Sequence, residues 1–247
     1  MASIEAKQKI EIEFWRDAVN ECAGSNSVHT LVNKASAAQV FIECVSRHAN
    51  SIHGSHHILE LGGGQGWASC VSKRLFPAVH MTATDISDFA IQSLPKWEKA
   101  FYTSVDNSYA CTSYQTAEKD ASIDFIFSFA AAHHFLAHKR TLGEISRILK
   151  PEGKAMYFYE PTSPRFLYSL AYWRVNRKRP EVPEDVLIPS ELAKLAQLYG
   201  LDLLIDYYPS PRNRAPMETI YYFMLSKLPI LQRILPSTAI FVFTKKS

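Results

Sequence analysis

The chain has 247 residues, of which 47% are hydrophobic and 21% charged, and its formal net charge is +3. This composition predicts one globular domain with a full core and excludes intrinsic disorder, collagen-like repeats and a disulfide scaffold. Four cysteines without a CxxC pair are typical of free thiols, and the N-terminus lacks the apolar run of a signal peptide, so we expect a cytoplasmic protein.

Hydrophobic periodicity predicts two N-terminal helices, over residues 3–21 and 35–50. The next predicted elements are a strand at 56–61, a helix through Leu75, a strand at 79–85, a helix at 87–101, a weaker strand around 109–115, a strand at 123–129, a helix at 138–149 and a strand at 154–159. Helices at 189–199 and 217–228 and strands at 201–207 and 238–244 complete the chain. Strands that alternate with helices of this length indicate a mostly parallel sheet covered on both faces.

Four of the nine glycines lie within five residues, directly after the strand at 56–61: Gly62, Gly63, Gly64 and Gly66. Glycine permits a positive φ and lets a ligand approach the backbone, although such a cluster could also serve only a sharp turn. Glu60 lies two residues before the first glycine, where a buried carboxylate disfavours a pyrophosphate and favours a positively charged ligand. The loop therefore predicts a site for a cationic cofactor beyond the carboxyl ends of the strands.

Asp85 ends the second predicted strand, nineteen residues after Gly66. A carboxylate at that position can accept hydrogen bonds from both hydroxyls of a ribose, and it can also cap the helix that follows. Asp85 alone would suit a nicotinamide dinucleotide equally well. The choice between the two cofactor classes depends on Glu60 and on the glycine spacing.

Four ordered motifs resemble one family: ILELGGGQG, TATDIS, DASIDFIFSFAAAHHF and EISRILKPEGKAMYFYEP, within residues 56–161. The chain resembles the class I S-adenosylmethionine-dependent methyltransferases, specifically the small-molecule group called methyltransferase type 11. The resemblance implies an α/β Rossmann-like fold whose seven-stranded sheet has the order 3-2-1-4-5-7-6 with an antiparallel last strand. It also implies S-adenosylmethionine as cofactor and S-adenosylhomocysteine as product. We expect a single domain with a helical lid (1–55), a cofactor-binding core (56–161), and a substrate cap with a C-terminal hairpin (162–247).

The family pattern assigns cofactor contacts to residues that match its motifs. It implies that Glu60 and the glycines hold the methionine moiety, that Asp85 binds the ribose, that Ile86 packs on the adenine, and that Phe129 and Ala130 lie beside the sulfonium. The family's adenine-binding stretch has only a partial match at 115–118, where threonine replaces the usual acid. Thr116, Ala117 and Glu118 are therefore weaker candidates for the adenine contact.

His133 and His134 follow the fourth strand, at the edge of the sheet where we expect the ligand. A neutral imidazole there could accept the proton of an attacking hydroxyl, or the pair could simply begin a helix. His134 and His138 have the i, i+4 spacing of two metal ligands, but no third ligand is evident nearby, so we expect no metal. Glu160 ends the fifth strand and could contact the substrate or cap a turn.

Residues 162–180 carry five basic and no acidic side chains, with four aromatic residues among them. Arg165 and Tyr168 are candidate substrate contacts there, and Trp15 is a candidate in the lid. The segment could cover an acidic acceptor, touch a membrane surface together with the apolar stretch 220–235, or pack as an ordinary connecting helix. A pI near 8.6 is too mild to favour nucleic acid.

These observations predict a methyltransferase acting on a small-molecule or lipid-linked acceptor, with oxygen favoured slightly as the methylated atom because of the histidine pair. N- or C-methylation of a natural product is the alternative within the class. Outside it, a nicotinamide-dependent oxidoreductase and a non-catalytic cofactor-binding protein remain open. The sequence does not indicate the oligomeric state.

Overall fold

A computed structural model describes residues 4–18, 21–23, 25, 27–177, 184–212 and 214–246. Its sheet has seven strands: β1 (His57–Leu61), β2 (His80–Asp85), β3 (Asn107–Ala110), β4 (Ile123–Phe129), β5 (Leu149–Thr162), β6 (Leu201–Tyr207) and β7 (Ser237–Lys245). They are ordered β3-β2-β1-β4-β5-β7-β6, and β7 is antiparallel to both of its neighbours. The predicted fold and strand order are therefore confirmed.

Eleven α-helices are described around the sheet. They are α1 (Ile4–Asp17), α2 (Val28–Arg47), α3 (Ala49–Ile52), α4 (Trp67–Leu75), α5 (Asp88–Ile91), α6 (Leu94–Phe101), α7 (His138–Ile148), α8 (Tyr168–Asn176), α9 (Pro189–Leu198), α10 (Pro216–Lys227) and α11 (Pro229–Ile234). Within the ranges described, no helix combines the length and apolarity needed to cross a membrane.

The central strands bury both of their faces, which explains their continuous apolar sequences. In β4, Phe125 and Phe127 pack into one apolar cluster with α2, α4 and α6, whereas Ile126 packs into a second cluster with α7 and α9. In β5, Phe158 and Tyr157 divide between the same two clusters. The core is thus two apolar layers separated by the sheet, and it holds the carboxyl ends of β1, β2 and β4 at one edge.

Three predicted elements have different bounds in the structure. The helix predicted at 87–101 is two helices, because Pro95 in the first turn of α6 has no N–H to donate back to the preceding turn. Helix α2 begins at Val28 rather than near residue 35, and exposed residues such as Val32 gave its first turns no core-facing pattern. Strand β3 covers 107–110 because it pairs only with the last four residues of β2.

Candidate active site

The glycine loop connects β1 to α4 and is fastened to the end of β2 by two hydrogen bonds. The Gly63 N–H donates to the Thr84 carbonyl at 2.8 Å, and the Gly64 N–H donates to Oδ2 of Asp85 at 2.8 Å. Gly64 has φ +54°, and a Cβ there would lie 3.1 Å from the Trp15 ring. Glycine is required at this position because a side chain would be strained and would crowd the loop against α1.

A cavity of about 540 Å³ lies over this loop, at the carboxyl ends of β1, β2 and β4. Predicted site residues that line it are Gly62, Gly63, Gly64, Asp85, Ile86, Phe129, Ala130, His134 and Trp15. The structure thus brings together residues from both ends of the matched motifs and from the N-terminal helix. This position is the one where open parallel sheets bind ligands.

Three carboxyl groups give the cavity an unusual electrostatic character. Burial raises the pKa of Asp85 to about 6, and burial together with the nearby Asp85 raises the pKa values of Glu11 and Glu60 to about 7. Throughout the described ranges, no lysine or arginine forms an ion pair with any of the three. The electrostatics of the cavity therefore favour a positively charged ligand.

Glu60 contributes to this field from behind the glycine loop and does not line the cavity itself. Its carboxylate accepts a hydrogen bond from the Ser69 hydroxyl, and it lies so close that a Cβ on Gly63 would be 2.8 Å from its Cδ. Gly66, which was also predicted to touch the cofactor, begins α4 with φ +78° and packs against Leu94 instead. Of the four glycines, Gly62, Gly63 and Gly64 line the cavity and can contact a ligand there directly.

The predicted adenine contacts Thr116, Ala117 and Glu118 lie outside the cavity lining. The Thr116 hydroxyl and N–H both donate to Glu144 at 2.7 Å, and Glu118 accepts a hydrogen bond from the Tyr109 hydroxyl at 2.9 Å. The early end of β3 lets the chain turn toward the cavity sooner than predicted. Residues that line this side are Cys111, Ser113 and Tyr114, and they replace 116–118 as candidates for the base.

Glu160 organises the loop after β4 and makes no contact with the cavity. It is fully buried, its Oε1 accepts from the Ala131 and Ala132 N–H groups at 2.9 and 2.8 Å, and its Oε2 accepts from the backbone N–H and Nδ1 of His133. Burial opposes the charged form of His133, but the charge and hydrogen bond of Glu160 outweigh it and raise the pKa of His133. Of the two histidines predicted as catalytic, His133 is buried and His134 faces the cavity.

Arg165 and Tyr168 lie around a second cavity, of about 460 Å³, next to α9. The Tyr168 hydroxyl donates to Oδ1 of Asp185 at 2.8 Å, and Arg165 forms an ion pair with Glu191. Among the residues described, the two cavities share no lining residue. The structure therefore does not bring these two predicted substrate contacts to the first cavity. Residues 178–180 of the basic segment lie outside the described residues.

Comparison with known proteins shows what the core is similar to. A family model described as "Methyltransferase domain" matches residues 59–157, the segment that carries β1, the glycine loop, Asp85, β4 and most of β5. These residues are similar in sequence to methyltransferase domains. The resemblance identified from the motifs is confirmed for them.

One curated relative is the malonyl-[acyl-carrier protein] O-methyltransferase of Anoxybacillus flavithermus, which is 24% identical over 170 residues. The match covers 66% of this chain and 64% of that protein. The chain therefore spans less than two thirds of the relative's length.

Two solved structures share the fold of the domain. Geranyl diphosphate C-methyltransferase of Streptomyces coelicolor, in complex with Mg²⁺, geranyl diphosphate and S-adenosylhomocysteine, has a TM-score of 0.68 at 11% identity, covering 99% of this chain and 100% of that one. Phosphoethanolamine N-methyltransferase 2 of Haemonchus contortus, in complex with S-adenosylmethionine, has a TM-score of 0.59 at 15% identity, covering 84% and 52%.

Sequence reasoning missed two acids that line the cavity of this domain, Glu11 and Glu184. Glu11 had a detectable signal, because Gln8, Glu11 and Trp15 share one face of α1 at i, i+3 and i+7 spacing. Glu184 had none, since it precedes α9 in an irregular segment whose position is fixed only by tertiary contacts.

Proposed function

We propose that this chain is an S-adenosylmethionine-dependent methyltransferase. The observation that carries the proposal is a set of three carboxyls with raised pKa values around a cavity at the carboxyl ends of β1 and β2, where Glu60 and Asp85 are buried and Glu11 is half-buried. A pyrophosphate would meet repulsion from all three, which argues against a nicotinamide dinucleotide. When bound, S-adenosylmethionine supplies a methyl group on a positively charged sulfur.

The residues that line the cavity suit each part of this cofactor. Asp85 already accepts one N–H on each oxygen, from Gly64 and Ser87, and an ionised carboxylate has further lone pairs for two ribose hydroxyls. Ile86 offers an apolar surface for the base, and Phe129 and Ala130 border the end of β4. Gly62, Gly63 and Gly64 would carry the methionine moiety on the backbone.

We assign α1 the role of a lid over the cofactor. It places Gln8, Glu11, Phe14 and Trp15 in the cavity wall. Its described span, Ile4–Asp17, has no fully buried side chain, so the helix is held by few core contacts. Docking of α1 also brings the Glu11 carboxyl close to Asp85, which makes closure more favourable once a cation is present.

We infer that the acceptor enters beside His134 and that oxygen is the methylated atom. His134 lines the same cavity as the glycine loop, so an acceptor bound there would lie next to an imidazole. The relative that is named an O-methyltransferase supports this choice, whereas the two structural neighbours named above are C- and N-methyltransferases. Methylation of nitrogen or carbon is therefore the alternative.

We further propose that the acceptor is a small or lipid-linked molecule reached at an anionic membrane surface. Seven large apolar side chains of the α10–α11 region, here called the apolar face, are between 45% and 79% exposed: Met217, Ile220, Phe223, Met224, Leu228, Ile230 and Ile234. The opposite side of α10 is apolar as well, since Tyr222 and Leu225 are buried. A surface helix that buries one apolar side and exposes large apolar side chains on another is typical of one that contacts a further apolar phase.

Charge favours an anionic lipid bilayer as the partner of the apolar face. Residues 219–236 contain Lys227 and Arg233 and no acidic side chain. The neighbouring helix α8 adds Trp173, which is exposed, and Arg174, which lies 3.2 Å from Glu218 at the start of α10. Apolar side chains beside cations are the pattern of helices that lie in the membrane interface.

Calorimetric titration with S-adenosylmethionine and S-adenosylhomocysteine tests the proposed activity. We expect one cofactor per chain, and Asp85→Asn should weaken binding on the order of 100-fold because it removes a charged acceptor. Asp88→Asn is the matched control, since Asp88 is an exposed residue three positions further along. Methyl transfer is then followed with radiolabelled S-adenosylmethionine and cell extract fractions as acceptor.

Three outcomes would count against the proposal. Equal binding by the Asp85→Asn variant would remove the ribose assignment. Enhanced NADH fluorescence on addition of the protein, without affinity for S-adenosylhomocysteine, would favour the oxidoreductase instead. Cofactor binding without turnover in any fraction would favour a non-catalytic binding protein.

A further inference from the structure

Three side chains of metal-binding type converge beside the cofactor cavity, and two of them, His134 and Glu184, line it. His133, His134 and Glu184 each offer one ligand atom, and the three atoms lie within 4.8 Å of one another. The sequence paired His134 with His138, but His138 begins α7 and lines the second cavity. The structure supplies Glu184, fifty residues further along the chain, as the third group that the local spacing lacked.

His133 is oriented as metal-bound histidines usually are. Its Nδ1 lies 2.8 Å from Oε2 of Glu160, which leaves Nε2 as the ring nitrogen available to a ligand. A carboxylate on the far ring nitrogen fixes the tautomer and the orientation of the ring. Because Glu160 also binds the backbone of residues 131–133, the loop that carries both histidines is held in place before any ion arrives.

Glu184 is held opposite these histidines by its own set of hydrogen bonds. Its N–H donates to Oδ1 of Asn176 at 3.0 Å, and its carbonyl accepts from Nδ2 of Asn176 at 2.8 Å. The next N–H, of Asp185, donates to the carbonyl of His133 at 3.1 Å. The end of α8 and the loop after β4 therefore hold the backbone of Glu184 in place next to the two histidines.

We propose that His133, His134 and Glu184 bind one divalent transition-metal ion, such as Zn²⁺, Co²⁺ or Mn²⁺, at the edge of the cofactor cavity. Two imidazoles and one carboxylate suit these ions, whereas Mg²⁺ prefers an all-oxygen set. An ion that lies about 2.1 Å from each ligand atom needs these atoms to be no more than about 4 Å apart. Side-chain rotations that move each ligand atom by less than about 1 Å would bring them to that separation.

The place of the site predicts what the ion would do. His134 and Glu184 both line the cavity, so the open coordination positions face the space for the acceptor. These positions would take an acceptor that carries a hydroxyl or carboxylate oxygen, which deepens the proposed function by naming a class of acceptor. The ion-binding site itself depends only on the three side chains and their supports.

Metal titration of the full chain, tag-free and dialysed against a chelator, tests the site. We expect one Co²⁺ per chain with a visible absorption band, displaced by Zn²⁺, and one Zn²⁺ per chain by calorimetry. Glu184→Gln and His134→Gln should each weaken Zn²⁺ binding by roughly 100-fold, because loss of a ligand costs at least as much as loss of an outer partner. Glu191→Gln, a control near the second cavity, should bind Zn²⁺ like the parent protein.

The inference is overturned if the parent protein shows no one-to-one binding of Co²⁺ or Zn²⁺, or if Glu184→Gln and His134→Gln both bind Zn²⁺ unchanged. Thermal unfolding of each variant shows that it is folded before titration. S-adenosylhomocysteine is titrated into the same metal-free samples, so that the two proposals fail separately. If the protein binds S-adenosylhomocysteine but no metal ion, only the metal site is refuted. If it does not bind S-adenosylhomocysteine, the methyltransferase proposal is refuted.

Discussion

Without ligand, the Glu60→Gln variant should become more stable than the parent protein as the pH rises. Glu60 is 2% exposed, and burial is the main cause that raises its pKa from 4.5 to about 7, outweighing the hydrogen bond from Ser69. In the unfolded chain the carboxyl ionises near pH 4.5. The folded protein therefore holds a proton that the unfolded chain has lost, and its stability falls as the pH rises from 4.5 through 7.

The magnitude follows from the same two values. A carboxyl whose pKa is 4.5 in the unfolded chain and about 7 in the folded protein lowers the free energy of unfolding by about 3 kcal/mol at pH 8. At pH 4.5 it lowers that free energy by only a few tenths of a kcal/mol. Glutamine has no proton to lose and keeps an oxygen that can accept the Ser69 hydroxyl. The stability of Glu60→Gln relative to the parent should thus increase by about 3 kcal/mol between these pH values, or roughly 6–12 °C in Tm.

Urea unfolding of both proteins without ligand, at pH 4.5, 6 and 8, measures this difference. Glu5→Gln, a change at an exposed carboxyl of α1, is the control and should show no such trend. The comparison across pH cancels any constant cost of burying the amide. A stability difference that stays the same at all three pH values would refute the reasoning, because it would mean that Glu60 ionises alike in the folded and unfolded chains.

Three other changes test the remaining parts of the site. Trp15→Ala should weaken S-adenosylhomocysteine binding about tenfold in calorimetry, through loss of an aromatic contact over the glycine loop. Glu160→Gln should lower the free energy of unfolding by about 3 kcal/mol in urea, since it removes a buried carboxylate that accepts four hydrogen bonds from residues 131–133. The double change Phe223→Ser and Met224→Ser should abolish flotation of the protein with phosphatidylglycerol vesicles. Leu204→Ser, at an exposed residue of β6, is the control and should leave flotation unchanged. Flotation of the parent protein with neutral vesicles alone would contradict the charge argument.

The fold was predictable because its signals are local. Strands β1 and β4 are mostly apolar, the glycine loop directly follows β1, and Asp85 is the last residue of β2. The antiparallel position of β7 came from the resemblance rather than from the pattern of its residues. Residues 116–118 were misplaced for the opposite reason: a motif match located them, but the length of β3 decides which residues after it reach the cavity.

The acids of the site show where local signals end. Glu160 was a candidate substrate contact because it closes a strand at the right edge of the sheet, and no sequence pattern reveals that four N–H donors surround it. Glu184 is placed at the cavity by its own hydrogen bonds to Asn176 and by the bond from the Asp185 N–H to the loop after β4. The second of these contacts joins segments about fifty residues apart, and periodicity over a window of ten or twenty residues carries no information about it.

Glu60 and Glu160 occupy similar places and differ in how their charge is satisfied. Both are buried near the carboxyl ends of central strands, but Glu160 accepts four N–H donors from residues 131–133, whereas Glu60, within the described part of the chain, accepts only from Ser69 and has Asp85 as a like-charged neighbour. The buried carboxyl near β5 thus has a full set of hydrogen-bond donors, whereas the carboxyls near β1 and β2 do not. A cationic ligand gains most where carboxyls are least compensated, so the electrostatics favour its positive charge at the glycine loop.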